Sequence, residues 1–131
     1  MPSSKSPDVC PCGSGLAYAD CCGHLHAGAA ANDALILMRS RYAAFVLGWE
    51  DYLLSSWHAS TRPQRLGLAD ESPAPIWLGL KILRHEQDDA DHQRVEFVAR
   101  YRVGGGSARR LHELSRFVRE QGRWFYVDGQ L

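Results

Sequence analysis

Residues 10–23 read CPCGSGLAYADCCG, and this one stretch holds all the cysteines of the chain. They are Cys10, Cys12, Cys21 and Cys22, in the pattern C-x-C-x8-C-C. Four thiolates can close a tetrahedral zinc shell, and Gly13 and Gly15 permit the tight backbone turns that would bring the two cysteine pairs together. A segment this short and polar buries too little apolar surface to order itself, so we expect zinc binding and local folding to be one event. A closed shell leaves no position for water, which indicates a structural role.

Other uses of these cysteines remain open at this point. Adjacent Cys21 and Cys22 are poor disulfide partners for each other, and the C-x-x-C spacing of thioredoxin-like redox sites is absent from the sequence. Either His24 or His26 could replace Cys22 without violating the ligand preferences of zinc. We take Cys22 as the fourth ligand and keep the two histidines as alternatives.

The composition is that of an ordinary globular chain. Of the 131 residues, 45% are hydrophobic and 23% are charged, which is close to the average for a single domain. Lys+Arg and Asp+Glu each number 15, so no net charge draws the chain to nucleic acid or to an acidic membrane. No apolar run reaches the roughly 20 residues that span a bilayer, and MPSSKSPD lacks the apolar part of a signal peptide. These features predict a cytoplasmic protein, whose thiols stay reduced.

Two helical segments follow the cysteines. Asn32 is a suitable N-cap, and apolar residues then recur at steps of three and four towards Gly48, where the helix is expected to end. The apolar stripe consists of Leu35, Met38, Tyr42, Phe45 and Trp49. Residues 50–57 are predicted to form a second, shorter helix.

The rest of the chain has the period of β-structure. Four strands are predicted over residues 77–87, 92–103, 109–120 and 123–128, joined by connections short enough for hairpins. In the second strand one face carries Val95, Phe97, Ala99, Tyr101 and Val103, and the other carries Glu96, Arg100 and Arg102. Helices followed by an antiparallel sheet predict an α+β domain in which the helices cover one face of the sheet.

Several stretches also resemble known families. The cysteine segment resembles the SEC-C motif of the preprotein translocase motor and of many other bacterial proteins, through its C-P-C-G-S-G start, aromatic Tyr18 and final C-C pair. That resemblance implies zinc and, as in the motor, contacts with protein partners. Its ligands would be Cys10, Cys12, Cys21 and Cys22. MRSRYAAFVLGWEDYLLSSWH, LHELSRFVRE and GRWFYVDG are similar to a YchJ-like protein, which implies a nuclear transport factor 2-like cone.

We therefore expect a SEC-C motif over residues 1–27 and a cone domain over residues 28–131. The whole would be a small N-terminal zinc knuckle followed by helices packed on a curved four-stranded antiparallel sheet. Such a sheet can enclose a cavity over its helix. The candidates to line it are His58, Trp77, Tyr101, His112 and Glu113.

Strand geometry limits what these candidates can do. His112 and Glu113 are neighbours in one predicted strand, so they point to opposite faces and cannot both enter one cavity. Arg39 and Arg41 lie close to the apolar stripe, where a buried arginine would need a carboxylate partner such as Glu96 or Glu113. The large aromatic residues are interpreted as core, with the lining of a ligand pocket as the alternative. They are Trp49, Trp57, Trp77, Trp124 and Tyr126. We assign no catalytic residue.

The leading hypothesis is a zinc-dependent protein-interaction module on a cone-fold scaffold, with a partner that the sequence does not identify. Replacement of Cys21 and Cys22 by serine should then release zinc while the main domain stays folded. One alternative is a small cone-fold enzyme or ligand-binding protein that uses the cavity. A second is a nucleic-acid accessory factor, which the zero net charge disfavours. Its basic residues would be Arg109, Arg110, Arg116, Arg119 and Arg123. The oligomeric state is left open.

Overall fold

The computed structural model describes residues 9–130 of the chain. The helices are α1 (Cys22–His26), α2 (Ala34–Leu47) and α3 (Glu50–Ser55), and the strands are β1 (Ile76–Asp89), β2 (His92–Arg102), β3 (Arg109–Glu120) and β4 (Arg123–Gln130). Single 3-10 turns lie at Tyr18–Asp20 and Leu68–Asp70. Within residues 9–130, no helix combines the length and the hydrophobicity that a bilayer crossing requires.

The strands form one antiparallel sheet in the order β1-β2-β3-β4. The predicted α+β fold with four antiparallel strands is therefore confirmed, and each strand end lies within two residues of its predicted position. Extra residues interrupt the pairing of β1 at Leu78, Leu83 and Asp88, and that of β4 at Val127. Because a β-bulge bends its strand, these interruptions let the sheet curve around α2.

The main core lies between α2 and the inner face of the sheet. Val95, Phe97 and Ala99 of β2 point inward, as the alternation of the sequence predicts. Phe117 of β3 is 1% exposed and belongs to the same apolar cluster as Leu37 of α2. Full burial of a large apolar side chain contributes roughly 1.5–3 kcal/mol, so this cluster holds the helix against the sheet.

Helix α2 is buried on two sides rather than along one stripe. The predicted stripe is only partly correct, because Phe45 is half-buried and Trp49 is 37% exposed, whereas Ser40 and Ala43 are fully buried. The sheet covers one side of the helix, and the cysteine segment covers another, where Ala43 and Leu47 contact it. Periodicity detects only the first side, because small residues such as alanine and serine form no apolar stripe.

The ends of α2 follow from local chemistry. Asp33, rather than the predicted Asn32, is the N-cap, and its Oδ1 accepts a hydrogen bond from the backbone N–H of Ile36 at 2.9 Å. The helix ends at Gly48 as predicted, with a φ of 75°, a left-handed conformation that costs glycine little.

We expect Asp33→Ala to lower the free energy of unfolding by about 1 kcal/mol, because the N–H of Ile36 would lose its acceptor. Urea unfolding followed by tryptophan fluorescence measures the change. Asn32→Ala is the matched control, since Asn32 is exposed. A larger loss of stability for Asn32→Ala than for Asp33→Ala would show that Asn32, and not Asp33, caps the helix.

Candidate metal centre

The backbone of the cysteine segment folds back on itself and brings the two cysteine pairs together. Val9 and Ala17 form an antiparallel bridge, and the N–H of Cys10 donates to the carbonyl of Leu16 at 2.9 Å. The turn between them has φ values of 84° and 83° at its two glycines, where a side chain would be strained. These glycines are Gly13 and Gly15. The turn places the first cysteine pair beside the second, at the start of α1.

The four sulfur atoms lie close enough to share one ion. All of them are within 4.8 Å of one another. The Sγ atoms of Cys12 and Cys21 are 3.6 Å apart, and those of Cys21 and Cys22 are 4.0 Å apart. These separations are about twice a disulfide bond, and all four cysteines are free thiols. The cluster is compatible with metal binding, and its sulfurs face inward, since Cys10, Cys12 and Cys22 are buried.

Contacts within the cluster make the thiols unequal. A hydrogen bond with the Cys22 thiol lowers the pKa of Cys12, and the same contact raises the pKa of Cys22. Burial raises the pKa of Cys10. Thiols that share protons in this way favour thiolate at one sulfur, whereas a divalent cation would supply the charge that stabilises thiolate at all of them.

The two histidines after the cysteines lie in different environments. His26 has both ring nitrogens in hydrogen bonds, Nδ1 with Tyr18 Oη at 2.5 Å and Nε2 with the carbonyl of Ser40 at 2.8 Å. A carbonyl only accepts, so Nε2 carries the proton, and Nδ1 accepts from the tyrosine hydroxyl. His24 is exposed and does not belong to the cluster of four sulfurs. Cys22 therefore remains the predicted fourth ligand.

The knuckle, defined as residues 9–26, packs directly on α2. Arg39 Nη1 donates to the carbonyl of Cys12 at 3.0 Å, and the His26 ring contacts those of Trp49 and Tyr52. At Gly23 a Cβ would lie 2.6 Å from the carbonyl oxygen of Tyr18. Such close backbone contact admits only glycine. The sequence indicates none of these contacts, because each pairs residues that are remote in the chain or depends on backbone approach.

The predicted pocket residues separate into two groups. Trp77 and Glu113 line a cavity of about 300 Å³ between α2 and the sheet. His112 lies on the outer face, where Nε2 is 2.6 Å from Glu96 Oε2, so it and Glu113 point apart as strand alternation predicts. Tyr101 does not line the cavity, but its ring contacts that of Trp77.

His58 does not line the cavity. Its Nε2 lies 2.8 Å from Glu120 Oε2, and its ring contacts Phe125. The residues that line the cavity with Trp77 and Glu113 include Arg41, Trp57, Ser115 and Tyr126. Trp57 and Tyr126, for which core was the preferred interpretation, form walls of the cavity. Their burial is the same in either case, so sequence alone does not distinguish a filled interior from a hollow one.

Arg41 differs from its predicted environment. It is 3% exposed, as a residue beside the core should be, yet the predicted carboxylate partner is missing. Among residues 9–130, no carboxylate oxygen lies within 4.0 Å of its guanidinium nitrogens. Its Nη1 donates instead to the carbonyl of Leu53 and to Ser56 Oγ, at 2.8 and 2.7 Å. Glu96, the other predicted partner, pairs with Arg84 on the outer face.

The fold and the cysteine cluster define a class of protein, a nuclear transport factor 2-like domain preceded by a SEC-C motif. Family models match both parts, "YchJ, middle NTF2-like domain" over residues 33–129 and "SEC-C motif" over residues 7–23. The chain therefore belongs to the YchJ-like family, and the resemblance identified from its sequence is confirmed.

Relatives align with this chain over nearly their whole length. A UPF0225 protein of Xanthomonas campestris is 55% identical over 130 residues, covering 99% of this chain and 100% of the relative. One from Bordetella parapertussis is 56% identical over 131 residues, covering 97% and 96%. The solution structure of a SEC-C motif containing protein from Rhodopseudomonas palustris is 35% identical, with a TM-score of 0.83 and coverage of 93% and 97%.

Proposed function

We propose that the four cysteines hold one structural zinc ion and that the knuckle around it is a binding surface for a protein partner. Sulfurs at the vertices of a tetrahedral zinc site, each about 2.3 Å from the metal, are about 3.8 Å apart. The 3.6 and 4.0 Å separations at Cys21 fall on either side of that value. Four thiolates also form a donor set that zinc prefers and that leaves no position open for catalysis.

The observation that carries the partner surface is the exposure of Leu16. This side chain is 54% exposed, although it belongs to the small knuckle. It lies at a groove of about 410 Å³ between the knuckle and α2, which Leu25, Ile36 and Cys21 also line. Asp20 and Arg39 add opposite charges to the groove. Apolar side chains rimmed by polar and charged groups are typical of surfaces that bind a protein segment.

The other two candidate functions have weaker support. The candidate pocket residues His58, Tyr101 and His112 do not meet in one cavity, which argues against an enzyme built on them. Among the basic strand residues, Arg116 is paired with Asp128 and Arg119 with Asp91, so part of the charge that would attract phosphates is neutralised.

We expect Leu16→Ser to abolish partner capture while zinc content and stability remain those of the wild type, because the exposed side chain supports neither the metal nor the core. Affinity capture read by mass spectrometry, together with zinc analysis of the same samples, measures both.

Leu83→Ser is the matched control, since Leu83 is a leucine 44% exposed on β1, away from the knuckle. Equal partner capture by Leu16→Ser and by the wild type would rule out the knuckle as the contact surface. Purified, reduced protein without stoichiometric metal would reject the zinc site itself.

A further inference from the structure

The cavity under α2 has aromatic walls and one strongly polar wall. Its volume is about 300 Å³, at the lower end of the range of small-molecule sites. The aromatic walls are formed by Tyr42, Phe45, Trp57, Trp77 and Phe97. The polar wall is formed by Arg41, Glu113, Ser115 and Tyr126. A predominantly apolar cavity with a few convergent polar groups is the usual architecture of a ligand site.

The guanidinium of Arg41 is held rigidly at this wall. It lies 4.4 Å from the ring centroid of Tyr126 and 5.1 Å from that of Trp57, and these two rings are in edge contact with each other, so both lie to one side of the guanidinium. Among the described residues 9–130, both hydrogen bonds from the guanidinium to protein atoms come from Nη1, to the carbonyl of Leu53 and to Ser56 Oγ. The parallel N–H groups of Nε and Nη2 therefore remain available to donate hydrogen bonds. They form the edge that receives a carboxylate in a bidentate pair.

Glu113 does not complete this ion pair. Its Oε2 accepts from Ser115 Oγ at 2.6 Å and from Tyr126 Oη at 3.2 Å. The backbone of β4 also confines the carboxylate, because a Cβ at Gly129 would lie 2.0 Å from Oε2. Glu113 is thus directed to the hydroxyls of its neighbours and leaves the Arg41 edge open.

We propose that the cavity binds a small organic monocarboxylate with an aromatic body, whose carboxylate pairs with the Nε–Nη2 edge of Arg41. A buried guanidinium without a contacting anion is costly, and a ligand carboxylate would supply one. The aromatic walls would accept the body of the ligand by edge and face contacts. In agreement, burial lowers the pKa of Arg41 to about 10, and a bound anion would raise it again.

The test uses the full-length, metal-loaded chain and three probes, benzoate, phenylacetate and 3-phenylpropionate, each with its primary amide as a neutral control of the same shape. Fluorescence of Trp57 and Trp77, which line the cavity, follows binding. We expect saturable binding of at least one acid, about tenfold tighter than its amide, since a charge-assisted bidentate pair exceeds neutral hydrogen bonds by roughly 1.4 kcal/mol.

Two variants locate the site. Ala99→Leu places a larger side chain in the cavity, because Ala99 is a lining residue, and it should abolish binding of acid and amide alike. Glu113→Gln removes a negative charge near the carboxylate, so the acid should bind several-fold tighter while affinity for the amide stays constant. Circular dichroism shows whether each variant is folded. If Ala99→Leu does not fold, the acid and amide affinities of Glu113→Gln provide the test.

Three outcomes would overturn the proposal. These are no saturable binding of any acid, equal affinity for acid and amide, and weaker acid binding in Glu113→Gln. None of them bears on the partner surface at Leu16, which does not line this cavity.

Discussion

Cys12→Ser, or removal of the metal by a chelator, is expected to destabilise the main domain as well as the knuckle, by more than about 3 kcal/mol. Cys12 is completely buried, and its carbonyl accepts the hydrogen bond from Arg39 of α2. Ala43 of the same helix is fully buried against the cysteines. Loss of the metal would therefore remove one of the two surfaces that cover α2.

This expectation replaces the one drawn from the sequence, in which a cysteine-substituted protein keeps a folded main domain. The measurement is urea unfolding followed by tryptophan fluorescence, with zinc content determined in the same samples. Hydrogen exchange of the α2 amides would locate the loss. Ser14→Ala is the control, since the exposed Ser14 lies 3.2 Å from Cys21 Sγ without being one of the four sulfur donors. A Cys12→Ser protein without metal and with wild-type stability would show that the knuckle is independent of the domain.

His26→Ala is expected to destabilise the protein by roughly 2–4 kcal/mol without releasing the metal. The substitution removes two hydrogen bonds, leaves Tyr18 Oη and the Ser40 carbonyl without their partner, and opens space beside Trp49 and Tyr52. His24→Ala is the matched control on the same short helix, because His24 is exposed. Metal loss in either variant, at a pH where the protein is folded, would restore that histidine as a candidate ligand.

The effect of His26→Ala should also depend on pH. Burial lowers the pKa of His26, so the folded state holds the ring neutral. Its contribution is complete above the unfolded pKa of about 6.5 and is lost as the pH falls from there through the lower folded pKa. The difference in unfolding free energy between metal-loaded wild type and His26→Ala should therefore shrink between pH 7.5 and pH 5. A constant difference would mean that the pKa of the ring is the same in the folded and unfolded states.

Much of the architecture follows from the sequence, because its signals are local. Alternation along β2 assigned Val95, Phe97 and Ala99 to the inner face, and short polar connections set the order of the sheet. The crowding of all cysteines into 14 residues, 10–23, identified a candidate metal cluster before any coordinate was known. Gly48 ended α2 as predicted, since a left-handed residue at a helix end is a property of the residue itself.

By itself, then, the sequence determined the α+β fold, the strand bounds and the cysteine cluster. Only the tertiary structure decided that the knuckle covers a second side of α2, that His26 joins Tyr18 to Ser40, and that Arg41 faces a cavity instead of a carboxylate. The physical reason is the range of the interactions. Strand alternation and helix caps depend on neighbours in the chain, whereas burial from two sides and an open guanidinium edge depend on where remote segments come to rest.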